Sequence, residues 1–300
     1  MKILNFGSCN IDYVYSIEHI VRTGETETTD KLEVFPGGKG LNQSVAIARA
    51  GTKVYHAGCI GNDAEILLDT FKSSGVDTSY LKQADAKNGH AIIQVSSQGE
   101  NSIFLHPGSN HMITNDFTDE VLGGFEKGDI ILLQNEINNI EYIVDRAWEK
   151  GMVIVLNPSP FDEKLKRLDF NKIAYLILNE TEGCEITGES SAEKILLHLK
   201  NSYPELKVVL TLGEKGCVYM DKNSGYYQPI FKTKVVDTTA AGDTFTGYFI
   251  SEISKGTQYK DAIKIASCAS AVTVSGKGAA PSIPTEGEVL KALNCLREEQ

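Results

Sequence analysis

Cysteine pairs at metal or redox spacing are missing from this chain. Cys9, Cys59, Cys184, Cys217, Cys268 and Cys295 are scattered, with no C-x-x-C. That pattern argues against a zinc or dithiol site and predicts buried free thiols in a reducing compartment. Positive charge is also short: 29 Lys and Arg against 40 Asp and Glu leave a formal net charge of -11. A general nucleic-acid or anionic-membrane surface would need the opposite balance, so neither partner is expected. No apolar run is long enough to span a bilayer, and the opening stretch Met1 to Gly7 is too brief for a secretory signal. The expected location is the cytoplasm. No histidine stands in H-E-x-x-H, and G-x-S-x-G is absent, so zinc-enzyme and serine-hydrolase readings have little support. There is no fixed-period repeat and no low-complexity tract.

What is present reads as alternation. The 300 residues, 41% of them hydrophobic and 23% charged, suffice for one large soluble domain. Residues 130–133, 153–156, 174–178 and 208–212 are short and nearly all apolar, with helical stretches near 139–150 and 191–202 between them. Strands apolar on both faces that alternate with helices indicate a mostly parallel, doubly wound α/β sheet covered on both sides. Residues 3–6 and 53–59 fit the same sheet, 41–50 and 64–73 read as helices, and 217–220 with 226–230 form a late hairpin. Three helices, near 241–255, 259–274 and 285–297, close the chain. Segments 12–36 and 88–106 depart from this pattern. They are strand-like and polar, and are expected to form a small second sheet projecting as a lid.

Several strand exits carry chemistry-bearing residues, where open α/β sheets place ligands. Ser8 to Asp12 follows the first strand, Glu136 a later one, and Asn179-Glu180-Thr181-Glu182 another. Two carboxylates and an amide opening a helix suit a Mg²⁺ shell that keeps its waters, and equally an acidic first turn stabilised by the helix dipole. Gly37-Gly38-Lys39-Gly40 looks like a phosphate loop, yet Gly follows the Lys, so Walker A fails; there is also no G-x-G-x-x-G after the first strand. The loop would let backbone N–H groups and a lysine approach a hydroxyl-rich molecule, or it is a tight turn entering a helix. In Asp237-Thr-Thr-Ala-Ala-Gly-Asp-Thr-Phe245, small residues lead into a helix. Its open N–H donors form an anion site with Asp243 beside it as a proton acceptor, or an ordinary helix start with an acidic first turn.

Taken together, Asn10-Ile-Asp12, Gly37-Gly-Lys-Gly-Leu-Asn-Gln43, Leu156-Asn-Pro158, Asn179-Glu-Thr-Glu182, Thr211-Leu-Gly213 and Asp237–Phe245 resemble the ribokinase family of carbohydrate kinases, also called the PfkB type. The blocks stand in family order over nearly the whole chain. The resemblance implies a single ribokinase-like α/β domain over 1–300 with a β lid. It also implies ATP-dependent phosphorylation of a sugar, with D-ribose to D-ribose 5-phosphate as the first expectation. Another sugar or a nucleoside, or a non-catalytic sugar-binding regulator, are the alternatives.

Carried over by resemblance, Asp243 is the base, and the N–H groups of Ala240, Ala241 and Gly242 form the anion hole. Asn10, Asp12, Gly38, Lys39, Asn42 and Glu136 hold the sugar. Asn179, Thr211, Gly213, Gly216, Gly242 and Ser267 lie along the nucleotide, and Asn179 with Glu182 orders Mg²⁺ through water. Asp237, Thr239, Thr273, Gly276, Gly278 and Ser282 would hold an activating K⁺. The resemblance further implies a homodimer formed through the lids, each closing part of the other's sugar site. Three residues depart from the family pattern. Leu41 puts bulk where a small residue is usual, near the sugar loop; Ser267 stands where histidine is frequent near adenine; Thr273 replaces a smaller residue.

Overall fold

Ile130-Ile-Leu-Leu133 has no polar face, so as a strand it needs apolar cover on both sides. It receives that cover: Ile130 and Leu132 pack into one buried core, Ile131 and Leu133 into a second. The computed structural model describes residues 1–29 and 31–298. The chain begins with β1 (Ile3–Phe6), β2 (Asn10–Ile17), β3 (Lys31–Gly37), α1 (Lys39–Arg49), β4 (Val54–Ile60) and α2 (Glu65–Ser74). Next come β5 (Asp77–Gln83), β6 (Gly89–Ser96), β7 (Asn101–His106), α3 (Asn115–Gly123), β8 (Ile130–Gln134) and α4 (Ile140–Glu149). β9 (Val153–Asn157), β10 (Tyr175–Asn179), α5 (Glu180–Thr187), α6 (Ala192–Ser202) and β11 (Lys207–Thr211) continue the alternation. The hairpin β12 (Cys217–Met220) and β13 (Gly225–Gln228) precedes α7 (Ala241–Ser254), α8 (Tyr259–Thr273), α9 (Ala279–Ser282) and α10 (Glu286–Glu298).

Nine strands form one sheet in the order β13-β12-β11-β10-β9-β8-β1-β4-β5, parallel except for the terminal hairpin. Residues of α1, α7 and α8 contribute to the core on one face, and residues of α3, α4 and α6 to the core on the other. From β1 the order runs through β4 to β5 in one direction, and from β8 to β13 in the other. In open α/β sheets a crevice opens at such a reversal, so the ends of β1 and β8 are where a ligand site is expected. Four further strands, β3-β2-β6-β7, make a second sheet from the polar segments that the sequence set apart.

α1 and α7 cross closely on one face of the large sheet. A Cβ built on Gly247 would lie 2.4 Å from the Ala46 Cβ, so the crossing requires glycine there. This contact packs the second turn of α7 against the Gln43–Ile47 stretch of α1.

Some expectations need correction. β5, with sequence DTSYLKQ, is an edge strand without apolar alternation and gave no periodic signal; α3 and the four-residue α9 were also not anticipated. α1 begins at Lys39, not near residue 41. Cys184 and Cys295 are exposed, so buried thiols describe only Cys9, Cys59, Cys217 and Cys268. Leu41 is fully buried in the core beneath α1, so its bulk serves packing and not the sugar loop. Among the described residues, no helix is long and apolar enough to cross a membrane.

Candidate active site

Ser8, just past β1, and Glu136, just past β8, meet at the sheet's reversal point: the Ser8 hydroxyl donates to Glu136 Oε2 at 2.5 Å. The same oxygen accepts the Lys39 backbone N–H at 2.9 Å. Gly38 makes that approach possible by taking φ +89° at the N-cap of α1. Burial pushes Glu136 up, partly offset by the Lys39 charge and by these hydrogen bonds. Burial works against the Lys39 ammonium too, but Asp243, Glu136 and Glu182 together hold its pKa above the ordinary lysine value.

Asp243 lies in the first turn of α7 and is 7% exposed. Asn42 Nδ2 donates to its Oδ2 at 3.0 Å and Gln43 Nε2 to its Oδ1 at 2.9 Å, so both carboxylate oxygens are held from α1. Before it, Ala240 adopts φ +60°, one of two non-glycine residues with positive φ among those described. The N–H groups of Ala240 and Gly242 have no backbone partner among the described residues, whereas Ala241 N–H turns back to the Thr238 carbonyl at 3.3 Å. The expected three-donor anion hole is therefore two open donors and one partly engaged. A carboxylate beside such donors suits proton transfer next to an anion.

Asp12, on β2, accepts no hydrogen bond from the described residues. Burial, followed by the charges of Glu136 and Asp243, pushes it up to about 7. Asn10, 2% exposed, accepts from Asn110 Nδ2 at 2.7 Å. Asn42 Oδ1 is buried and has no partner. Unpaired buried acceptors cost roughly 1–3 kcal/mol each, so this cluster is incomplete without donors from outside the chain.

A cavity of about 210 Å³ adjoins the cluster. Asn179, Glu182 and Thr211 border it, as do Lys39 and the Ala240–Asp243 turn, so Lys39 and Asp243 belong to both spaces. Asn179 Oδ1 accepts from Glu182 N–H at 2.9 Å and Glu182 Oε2 from Asn179 N–H at 3.0 Å, a complete capping box. Gly213 and Gly216 shape the turn after β11. Ser267, on α8, contacts Cys217 Sγ at 3.5 Å, next to that turn.

Asp237 joins two loops. Its Oδ1 accepts from Thr239 N–H and hydroxyl at 2.9 and 2.6 Å, and its Oδ2 from Gly278 N–H at 3.0 Å. Burial opposes the charge, but the Thr239 and Gly278 bonds outweigh it and hold the carboxyl below its usual range. Gly276 lies against Ser282. The Thr273 hydroxyl, by contrast, bonds to Thr244 Oγ1 at 3.0 Å and to the Ala269 carbonyl, inside the α7–α8 interface. Only its carbonyl, which accepts from Gly276 N–H at 3.0 Å, turns toward the loop.

Ser8, Gln43, Asn110 and Asn157 were assigned no role from sequence. Gln43 and Asn157 lie within recognised blocks, so position gave a signal; Asn110, in a short turn after β7, gave none.

The sequence profile of the pfkB family carbohydrate kinases matches residues 1–286. A ribokinase from Haemophilus influenzae is 35% identical over 301 aligned residues, 96% of this chain and 96% of its own. The crystal structure of a ribokinase from Cryptococcus neoformans var. grubii serotype A in complex with ADP superposes with a TM-score of 0.85 at 33% identity, covering 97% of this chain and 99% of that one. The Arabidopsis thaliana ribokinase complexed with ribose and ATP also gives a TM-score of 0.85, at 28% identity over 97% and 98% of the two chains. A carboxylate framed by amides at an open helix N-terminus, within a fold and sequence shared almost end to end, places this chain in the PfkB family of carbohydrate kinases, phosphotransferases with an alcohol acceptor.

Proposed function

We propose that this kinase transfers the γ-phosphoryl group of ATP to the 5-hydroxyl of D-ribose, with Asp243 taking the hydroxyl proton. The observation that carries this reading is the Asp243 carboxylate, buried beside open helix N–H groups and fixed through both oxygens by Asn42 and Gln43. Its donors hold the carboxylate in place next to the open N–H groups, where a positioned base can take a hydroxyl proton. Ala240 and Gly242 present N–H groups to charge building on the transferring phosphoryl group, and Ala241 joins them if its long bond to Thr238 yields. Ribose is favoured by the ribokinases among the relatives. Leu41, which would have hinted at another substrate, is core. A sugar-binding regulator would have no use for a base beside an anion site.

Sugar hydroxyls would complete the partnerless acceptors of Asn42 and Asp12, with Asn10, Gly38, Lys39 and Glu136 around them. Thr211, Gly213, Gly216, Gly242, Asn179 and Ser267 would line the nucleotide. The locked Asn179–Glu182 box leaves few free donors, which fits Mg²⁺ held through its own waters. When bound, that ion neutralises phosphate charge. Asp237 keeps its negative charge, and its carboxylate with oxygens of Thr239, Gly276, Gly278, Ser282 and the Thr273 carbonyl would make a donor set of the right class for K⁺. The protein would act in the cytoplasm.

A homodimer through the four-stranded sheet also fits. Leu32 and Val34 on β3 and Phe104 on β7 are exposed and share one face of that sheet by register, an apolar surface on the two outer strands.

Purified protein with ATP, Mg²⁺ and D-ribose should form ADP and ribose 5-phosphate, faster with K⁺ than with Na⁺ alone. Fast turnover of another sugar or a nucleoside but not ribose would refute the substrate assignment and leave the kinase intact. Sedimentation equilibrium should show a dimer at micromolar concentration, and a monomer there removes the lid-to-lid pairing. Asp12 supplies a pH dependence. Ionised, it accepts hydroxyl protons through both oxygens; below about 7 it is increasingly protonated and loses an acceptor. The sugar KM should therefore rise as pH falls through that value, and Asp12→Asn should raise KM at alkaline pH and flatten the profile. A KM that stays flat across neutrality in the unsubstituted enzyme contradicts this role.

A further inference from the structure

A row of buried amides runs beneath α1, across three adjacent strands, and ends on Asp243. Asn5 (β1), Gln134 (β8) and Gln43 (α1) are each 0% exposed, and Asn157 (β9) flanks them. We propose that Gln43 is a positioning residue for the base, and that Gln134 and Asn5 dictate which end of the Gln43 amide faces Asp243. This rests on the reading of Asp243 as the base.

The argument follows hydrogen-bond polarity. A backbone carbonyl can only accept, so the amide facing it must present its NH₂ end. Asn5 Nδ2 donates to the Gly40 carbonyl at 2.7 Å and to Ser44 Oγ at 2.8 Å, which turns Asn5 Oδ1 toward Gln134. Gln134 Nε2 therefore donates to Asn5 Oδ1 at 2.9 Å, and its second hydrogen goes to Gln43 Oε1 at 2.7 Å. With its oxygen engaged, Gln43 has only its NH₂ left for the other side. One hydrogen goes to Asp243 Oδ1 at 2.9 Å and one to Asn157 Oδ1 at 3.0 Å. Asn157 is oriented in turn by a second fixed acceptor, the Ile177 carbonyl, at 2.9 Å.

Two backbone carbonyls thus set the direction of the whole row. A flipped Gln43 would put its carbonyl against the Asp243 carboxylate and its NH₂ against that of Gln134. The row also carries an unpaired group. Gln134 Oε1 is buried without a partner, because both hydrogens of that amide are directed into the row. A core built for stability alone has no need of such an acceptor. At the far end, Ser44 Oγ meets His56 Nδ1 at 2.8 Å, and burial pushes His56 down to about 3, so the row ends on a neutral ring that adds no competing charge.

Gln43→Met keeps length and removes the donor. With folding checked by thermal melting, kcat at saturating sugar and ATP should fall by about 10- to 100-fold, as expected for a misaligned reacting group, with both KM values essentially unchanged. Gln134→Met should lower kcat by a smaller factor in the parent and add nothing in the Gln43→Met background, since it acts only through Gln43. An unchanged kcat in Gln43→Met overturns the proposal, and so does a Gln134→Met loss of equal size in both backgrounds or an effect confined to KM. If Gln43→Met does not fold, Asn157→Ala at its half-buried position removes the second acceptor of the same amide. A severalfold kcat loss at constant KM is expected there, and an unchanged kcat overturns the proposal. Asp243→Asn, assayed in parallel, separates the two readings. If it turns over normally, the base assignment falls and the positioning role with it. If it is inactive while Gln43→Met is normal, only the positioning role falls.

Discussion

A carboxylate taken out of water keeps its charge only where donors replace the water it lost. Asp243 is supplied with donors by Asn42 and Gln43 near the start of α1, and it lies in the first turn of α7. Both helices must therefore be held in register at their N-termini. The close crossing at Gly247 and the shared apolar core beneath them provide that register. Much of the remaining architecture serves the same end: the sheet reversal brings Ser8 and Glu136 to the crevice, and Glu136 anchors the backbone where α1 begins.

The site is negative as well as positive. Burial and the charges of Glu136 and Asp243 push Asp12 up, burial pushes Glu136 up, and Lys39 is the half-buried cation that feels Asp243, Glu136 and Glu182. A phosphate group arriving in an acidic protein needs such a local cation together with open N–H donors. The separation of roles between the two aspartates of the Asp237–Phe245 block follows from surroundings. Asp243 is met by side-chain amides, Asp237 by a threonine and a loop N–H from the chain's last third.

The doubly wound sheet was legible because its strands are apolar on both faces, a pattern that survives without any tertiary information. β5 was not, since an edge strand such as DTSYLKQ is half solvated and carries no alternation. Contiguous motif residues, such as the loop around Lys39 and the helix start around Asp243, stood out in the sequence, but spacing left each open between a ligand site and an ordinary turn, and the family resemblance supplied the roles. The capping box at Asn179 and Glu182 was legible as a helix start, but its closure onto itself depends on backbone geometry. Leu41 and Thr273 show the limit from the other side: adjacency to the glycine loop placed the first and family resemblance the second beside ligands, and packing directs the Leu41 side chain and the Thr273 hydroxyl elsewhere. The amide row could not be read at all, because Asn5, Gln43, Gln134 and Asn157 are distant in sequence and meet only through sheet order.

The central claim is that Asp243 accepts the sugar's proton and does not merely cap a helix. Turnover of Asp243→Asn, measured beside its affinity for ATP, tests it most directly. The account predicts a loss of at least about 100-fold in kcat, the scale of a missing general base, with ATP affinity largely intact. Near-parental turnover in a folded, ATP-binding variant would contradict it.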